Sequence, residues 1–519
     1  MILFSILITA CGNKSILNIS GSEEAEPAKM ISSEIAIPIL KYRTLNPVMT
    51  KDEDVFFMEK LVYDPLVRLD GTLSPIPGIA SGWVYSDDGM TLTFDIRKGI
   101  FWHDGKELTA EDVKFTFDVL LKAQYSNYSL YKDNIANIKS VTAKDSGIVV
   151  KFKTNTDNDI SNFVFPIIPK HQFSGINKVF SNVDSFMPIG TGPYKVTEID
   201  AVKKVVLEPN DEYYGDKKAG NTLVFKIIPN KRQAVNLFDI GDLMITFSEE
   251  TDRNTIFEDK DVNIFPYLAN EVEVLGFNFS KPALKDKRVR QAIANAIDTQ
   301  EIIENAYYNN GVRNDNIYFP NYLGKNSAEE LVAQNYEKAV RLLAEAGFIN
   351  RDEDIFVEDS SGNEIEIGIL VNNDNASRAA AADIIKNSLD KLPIHSYIIL
   401  KDWSGYTVAL NSGQYDIYIG GFKIEAGYDM RFALKTGNNL IGYSNLKLDA
   451  LLDKMESGID SKTKLETYTE IKEILNEELP YHCLAYKTYA AVTSKSMQGI
   501  VEPYFFDIYH SSEDWKYEY

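Results

Sequence analysis

The sequence predicts an α/β protein, on three observations. Stretches with period-two alternation of apolar and polar residues keep giving way to stretches with helical spacing. Caps and turn residues mark the changes, and no fixed-period repeat links them, so a solenoid is not expected. At 519 residues the chain is too long for one core and long enough for two or three domains.

The elements follow in chain order. Leu92, Phe94 and Ile96 alternate with Thr91, Thr93 and Asp95, a half-buried strand behind the turn Asp87-Asp88-Gly89. After a second turn at Asp104-Gly105, Thr109 stands at a helix N-cap, with Glu111 and Asp112 in the first turn. Val113, Phe117, Leu120 and Leu121 form that helix's apolar stripe. Val205 to Leu207 and Thr222 to Ile228 read as strands around a loop with Asn210, Asp211 and Gly215, and Leu275 to Phe279 as a short strand. Val289, Ile293 and Ile297 share a helix face, and Tyr336 to Ala346 is a helix stopped by Gly347. Ala376 to Leu392 is a helix closed by Pro393, and Asp402 caps another that runs toward Gly413. Tyr415 to Ile419 reads as a strand, and Leu465 to Leu479 as a last helix stopped by Pro480.

The composition excludes several function classes. A net charge of -22 argues against a nucleic-acid partner, whose phosphates need a basic face, and reads first as a solubilising surface. With 44% hydrophobic and 12% aromatic residues there is ample material for a core. No Gly-x-Ser-x-Gly, His-Glu-x-x-His, Gly-x-Gly-x-x-Gly or Cys-x-x-Cys occurs, and Gly190-Thr191-Gly192-Pro193-Tyr194-Lys195 lacks the spacing and ending of a phosphate loop. The five histidines are scattered singly, and no carboxylate pair stands out. No enzyme and no cofactor are therefore expected. Two cysteines cannot form a disulfide framework, and Cys483, among Tyr481, Leu484 and Tyr486, reads as a buried, inert thiol.

The specific signal is an ordered run of words between Val62 and Leu121: PLVR, GIASGW, SDDG, FDIRKG, WHDG and LTAEDVKF. GTGPYK and then LGFNFSKPALKDKRVRQAIANAIDTQEII follow downstream. Together they resemble the extracellular solute-binding proteins of family 5, the oligopeptide, dipeptide and nickel receptors of ABC importers. The resemblance covers roughly Ile39 to the C-terminus. It implies a two-lobed, periplasmic-binding-protein-like clamp of type II with discontinuous lobes: 31–71, 189–280 and 485–519 in lobe one, 72–188 as its extra subdomain, and 281–484 as lobe two. GTGPYK then marks where the chain returns to lobe one, and Phe279-Ser280-Lys281-Pro282 a hinge crossing. It further implies a monomer that captures short peptides and delivers them to a membrane permease and its ATPase. A nickel chelate, an oligosaccharide or another small solute is the alternative ligand, and a peptide-sensing surface receptor without transport the alternative role.

The order Ile8-Thr9-Ala10-Cys11-Gly12 after the apolar run MILFSILITA resembles a bacterial lipobox. That run is too short to span a bilayer, which takes roughly 20 residues. The expectation is a leader over 1–11, lipidation at Cys11, a flexible Ser-, Asn- and Glu-rich tether over 12–30, and a location on the outer face of the plasma membrane.

By the same resemblance the binding site lies in the stretch from Asp402 to Phe432. In peptide-binding relatives a strand there pairs with the ligand main chain, followed by an aromatic residue and by an acid that holds the α-ammonium. Phe422 takes the aromatic place and Glu425 the acidic one, and Trp403 matches an aromatic lining the peptide site. Tyr406 and Tyr128 are weaker candidates, and an aromatic at helical spacing such as Tyr406 reads equally as core. Where relatives carry basic residues for the peptide carboxylate, this chain has Leu410 and Ile419; Lys423 is a substitute reader.

Overall fold

In the computed structural model Ile35, Ile37 and Ile39 point into the core from the edge strand Glu34–Leu40, as period-two alternation requires. Pro38 is tolerated in this strand because the edge needs no donor from it. The strand runs parallel to Thr222–Ile228, and Lys204–Pro209 and Tyr194–Asp200 complete a four-stranded sheet. Residues 31–519 are described, apart from 124–129, 156–157, 182–185, 326–332, 425–427 and positions 33, 217, 251, 353, 500 and 519.

A second four-stranded sheet, antiparallel throughout, orders Ala80–Tyr85, Thr91–Ile96, Gly147–Phe152 and Ile138–Lys144. Leu92, Phe94 and Ile96 are buried on it, as are Val113, Phe117 and Leu120 of the helix Ala110–Ala123. Thr109 opens that helix by giving rather than accepting. Its backbone N–H and its hydroxyl both donate to the Asp112 carboxylate, at 2.9 and 2.8 Å.

The chain leaves this unit through GTGPYK. The Gly192 and Tyr194 N–H groups donate to the carbonyls of Val62 and Leu61, at 2.9 and 3.0 Å. A Cβ on Gly190 would land on the Val62 carbonyl oxygen, so only glycine admits this approach. His103, from WHDG, locks the same turn: its Nδ1 accepts from Gly190 N–H at 3.1 Å, and its Nε2 lies 3.1 Å from the Gly192 carbonyl. The ring is therefore neutral and protonated on Nε2, and burial pulls its pKa down to about 4.

The largest sheet has seven strands and is built on two long ones, Val262–Phe277 and Tyr481–Ser494, paired antiparallel. Their first-half end carries Ile245–Ser248; their other end carries Ile417–Lys423, then Glu366–Asn372 and His395–Lys401. Between the two ends the ladder breaks. Ala269, Asn270 and Glu271 bulge opposite Lys487, whose ammonium binds Glu271 at 2.6 Å. Burial opposes ionisation of Glu271, but that ammonium outweighs it and holds the carboxylate below its usual range.

The helices Lys287–Ala296, Tyr336–Glu345, Ala376–Leu389, Trp403–Asn411 and Ser461–Glu478 lie close to their expected spans. Ile297 falls just beyond the first, in extended backbone. Asp402 accepts from Gly405 N–H at 2.7 Å, the expected cap. Two strands differ from expectation. The expected Leu275–Phe279 is the tail of a sixteen-residue strand, and Phe279–Pro282 lies beyond its end. Polar Asn270 and Glu271 sit in the bulge, and Glu273, paired with Arg378 at 2.7 and 3.0 Å, is a charge buried within the strand. The strand expected at Tyr415–Ile419 instead runs from Ile417 to Lys423, through two glycines that read as an end. Cys483 is buried as expected, and burial pushes its thiol up.

Among the described residues no helix is long and apolar enough to cross a membrane.

Candidate functional site

The first sheet, the segment leading into Ile138–Lys144 of the second, and the large sheet from Ile245–Ser248 to its bulge line a cavity of about 1120 Å³. Its first wall is the helix Glu53–Glu59, presenting Glu53, Phe56 and Phe57, with Tyr267 and Tyr489 from the two long strands. Phe505, Phe506 and Tyr509 close that side. The Lys60 ammonium stands behind them, 3.7 Å from the Phe506 ring and 4.7 Å from Phe56, a cation–π brace whose pKa burial pulls down to about 8. Tyr131, Asp133 and Asn137 come from the second sheet's unit. Lys423, Tyr428, Asp429, Arg431, Phe432 and Glu456 face them from the other half.

Charge on this lining is mostly matched. Lys423 reaches Glu53 at 3.3 Å across the cavity, and Lys231 pairs with Glu249. Arg431 holds Asp429 through two parallel bonds, 2.9 and 2.7 Å. Asp54 accepts from Leu40 N–H at 2.8 Å. The cavity is thus an aromatic chamber with a few fixed polar groups, the composition of a ligand site. Among the described residues no three of His, Cys, Asp and Glu gather to hold a metal ion.

The strand Ile417–Lys423 borders the cavity through Lys423. One edge pairs fully with Phe277–Glu271; on the other, Glu366–Asn372 meets only Ile417 and Tyr418. Beyond Tyr418 that edge has no strand partner among the described residues; the Tyr406 hydroxyl takes the Ile419 carbonyl, which leaves Gly420 to Lys423 as backbone edge. Asn270, in the bulge, pins the residue that follows. Its carbonyl accepts from Ile424 N–H at 2.8 Å, and its side-chain amide donates to the Ile424 carbonyl at 2.8 Å.

Of the residues singled out from sequence, Lys423 lines the cavity. Phe422 is half-buried one layer back, edge-on to Phe432 and to Tyr481, 5.4 Å from each. Trp403 lies away from the cavity, 59% exposed on the outer helix Trp403–Asn411. Tyr406 is buried behind the strand; its ring stacks on Trp403 at 5.7 Å and its hydroxyl donates to the Ile419 carbonyl at 2.9 Å, a supporting role. Glu425, Tyr128 and Cys11 lie outside the described residues.

Sequence reasoning missed Asn270, Glu456, Tyr489 and the Phe56-Phe57 and Phe505-Phe506 pairs. The two Phe-Phe dipeptides carried a faint signal: adjacent bulky aromatics cannot both face one core from a regular element.

The model of the bacterial extracellular solute-binding proteins, family 5 Middle, matches residues 74–436. The oligopeptide-binding protein AppA of Bacillus subtilis is 26% identical over 538 residues, covering 99% of this chain and 97% of its own. Its structure with a nonapeptide superposes with a TM-score of 0.57, covering 94% of this chain and 99% of that one, at 25% identity. The dipeptide-binding protein of Escherichia coli is 25% identical, covering 85% of this chain and 87% of its own. The ABC transporter substrate-binding protein CtaP of Listeria monocytogenes has a TM-score of 0.73 at 25% identity, covering 94% and 99% of the two chains. The motif resemblance and the type II clamp are thereby borne out, and the protein is a solute receptor rather than an enzyme. The chain belongs to the bacterial extracellular solute-binding proteins of family 5.

Proposed function

We propose that this receptor captures short peptides between its lobes and delivers them to the permease of an ABC importer. The observation that carries the reading is the cavity of about 1120 Å³ beside a strand edge without a partner. That volume is above the roughly 300–1,000 Å³ of ordinary small-molecule sites, and a free edge recognises main chain whatever the side chains. Peptide-binding AppA and the dipeptide-binding protein support the same ligand class.

Lobe one comprises 31–71, 189–280 and 485–519 with the subdomain 72–188, and lobe two 281–484. The chain crosses between the lobes at Phe279-Ser280-Lys281-Pro282, just past the end of the strand Val262–Phe277. Ligand favours closure only through its higher affinity for the closed form. Glu425 takes the peptide α-ammonium, Phe422 backs the aromatic wall, and Lys423 exchanges Glu53 for the peptide carboxylate. Cys11 carries the lipid that keeps the receptor at the outer face of the plasma membrane.

Native mass spectrometry of leaderless protein, purified gently from cells, tests the ligand. Adducts that fragment as short peptides are expected; a single non-peptide or metal-containing mass would overturn the reading. For the amine role, Glu425→Gln should weaken free-amine peptides about tenfold or more while sparing N-acetylated ones. Equal losses for both would remove Glu425 from that role.

A further inference from the structure

The acids on the cavity wall differ in what they already hold. Glu53 has Lys423, Glu249 has Lys231 and Asp429 has Arg431. Asp52 and Asp54 accept backbone N–H groups of Arg43 and Leu40, at 3.0 and 2.8 Å. Asp133 is exposed to water and needs no partner. Behind the wall, Asp159 is held by Lys464. Glu456 is the exception. Its carboxyl lines the cavity with no hydrogen-bond or ion-pair partner among the described residues. Its position is nonetheless fixed: it caps the C-terminus of the helix Leu446–Met455, and its carbonyl accepts from Asn158 N–H at 2.8 Å across the lobe seam.

We propose that Glu456 is the specificity-determining carboxylate of the cavity and takes an ammonium or guanidinium of the bound peptide. The inference rests on the peptide reading and sharpens it to cationic peptides. A half-buried carboxylate without a partner is costly, and a charge-assisted bond is the strongest way to satisfy it. The nearby cations Arg431 and Lys464 are already engaged by Asp429 and Asp159, which leaves Glu456 to a cation brought by the ligand.

The same surroundings couple binding to a proton. Burial first, then Asp159 and Asp429, push the Glu456 carboxyl well above the usual range, against Lys464 and Arg431. Its charge in turn opposes ionisation of Tyr318 and Tyr322. The empty cavity therefore favours the protonated form of Glu456. An arriving cation converts it to the carboxylate, and its proton leaves to solvent.

The test is calorimetry on the leaderless protein with alanine pentapeptides carrying one lysine, or norleucine in its place. The lysine peptide should bind about tenfold to a hundredfold tighter to the native protein. Glu456→Gln should bring that ratio to about one while keeping the norleucine peptide, which shows that the variant folds; Glu456→Asp should restore part of the preference. In buffers of different ionisation enthalpy, proton release should accompany the lysine peptide with native protein and vanish with Glu456→Gln. N-acetylating both peptides should leave the preference intact, because the lysine side chain and not the α-ammonium carries it; loss of the preference on acetylation overturns the assignment. An unchanged ratio in Glu456→Gln overturns the Glu456 assignment and leaves the peptide reading standing. Failure of every pentapeptide to bind overturns both.

Discussion

Two of the ion pairs that bridge the proposed lobes differ sharply in the water around them. Lys464 and Asp159 meet in the seam between lobe two and the subdomain, their side chains 8% and 4% exposed. Lys423 and Glu53 meet across the cavity, 53% and 51% exposed. The chemistry is the same, but the cost of separation is not. In the seam each ion has given up its hydration and depends on the other, whereas in the cavity water can replace either partner. The difference teaches that closure and capture are assigned to separate places: a dry pair fixes how the lobes meet, and a wet pair leaves its charges free to exchange for a ligand's.

Three experiments press on that contrast. The largest effect should come from Lys464→Met, which strands Asp159 in the seam and should cost about 3–5 kcal/mol in urea unfolding. Adding Asp159→Leu should recover much of the loss; a loss below about 1 kcal/mol for the single variant would mean that the seam is wet.

Acid comes next. His482 is buried against Thr299, and burial lowers its pKa to about 4, as it does for His103 at the return turn. Both are neutral in the fold and protonate more readily in the unfolded chain, whose histidines titrate near 6.5. Unfolded protein thus binds more protons between about pH 6.5 and 4, so stability should fall as pH drops through that window, by about 3 kcal/mol for His482 alone. Glu456 runs the other way. Its raised pKa favours the fold below that pKa, and the contribution fades as pH rises through it. Urea midpoints across the window check the sign, and His482→Asn should flatten part of the slope.

The smallest effect belongs to Lys423→Met, which should change the stability of empty protein by less than about 1 kcal/mol. A loss as large as that of Lys464→Met would erase the distinction between seam and cavity.

Local signals carried most of the fold. Asp402 and Gly347 mark helix ends through hydrogen bonding and backbone freedom that neighbours alone decide, and both stand where expected. The long strand Val262–Phe277 was legible only at its apolar tail. Glu273 is acceptable there because Arg378, more than a hundred residues on, neutralises it, and no local window contains that fact. The cavity was harder for the same reason. Lys423 lay inside a recognisable segment, but Asn270, Glu456 and Phe506 become neighbours only when the lobes meet.

The paired long strands also set the order in which the molecule can be made. Ile245–Ser248 pairs only with Tyr481–Ser494 among the described strands, and the Tyr194 hydroxyl donates to the Ser512 carbonyl at 3.1 Å. The earlier half of lobe one therefore waits for the last residues of the chain. At ~5–20 residues per second a ribosome needs roughly 10–50 s to supply them. Through that interval an apolar strand without its partner stands open to any other edge it meets. Safe synthesis thus depends on something that keeps the nascent N-terminal half apart from other chains until its C-terminus arrives.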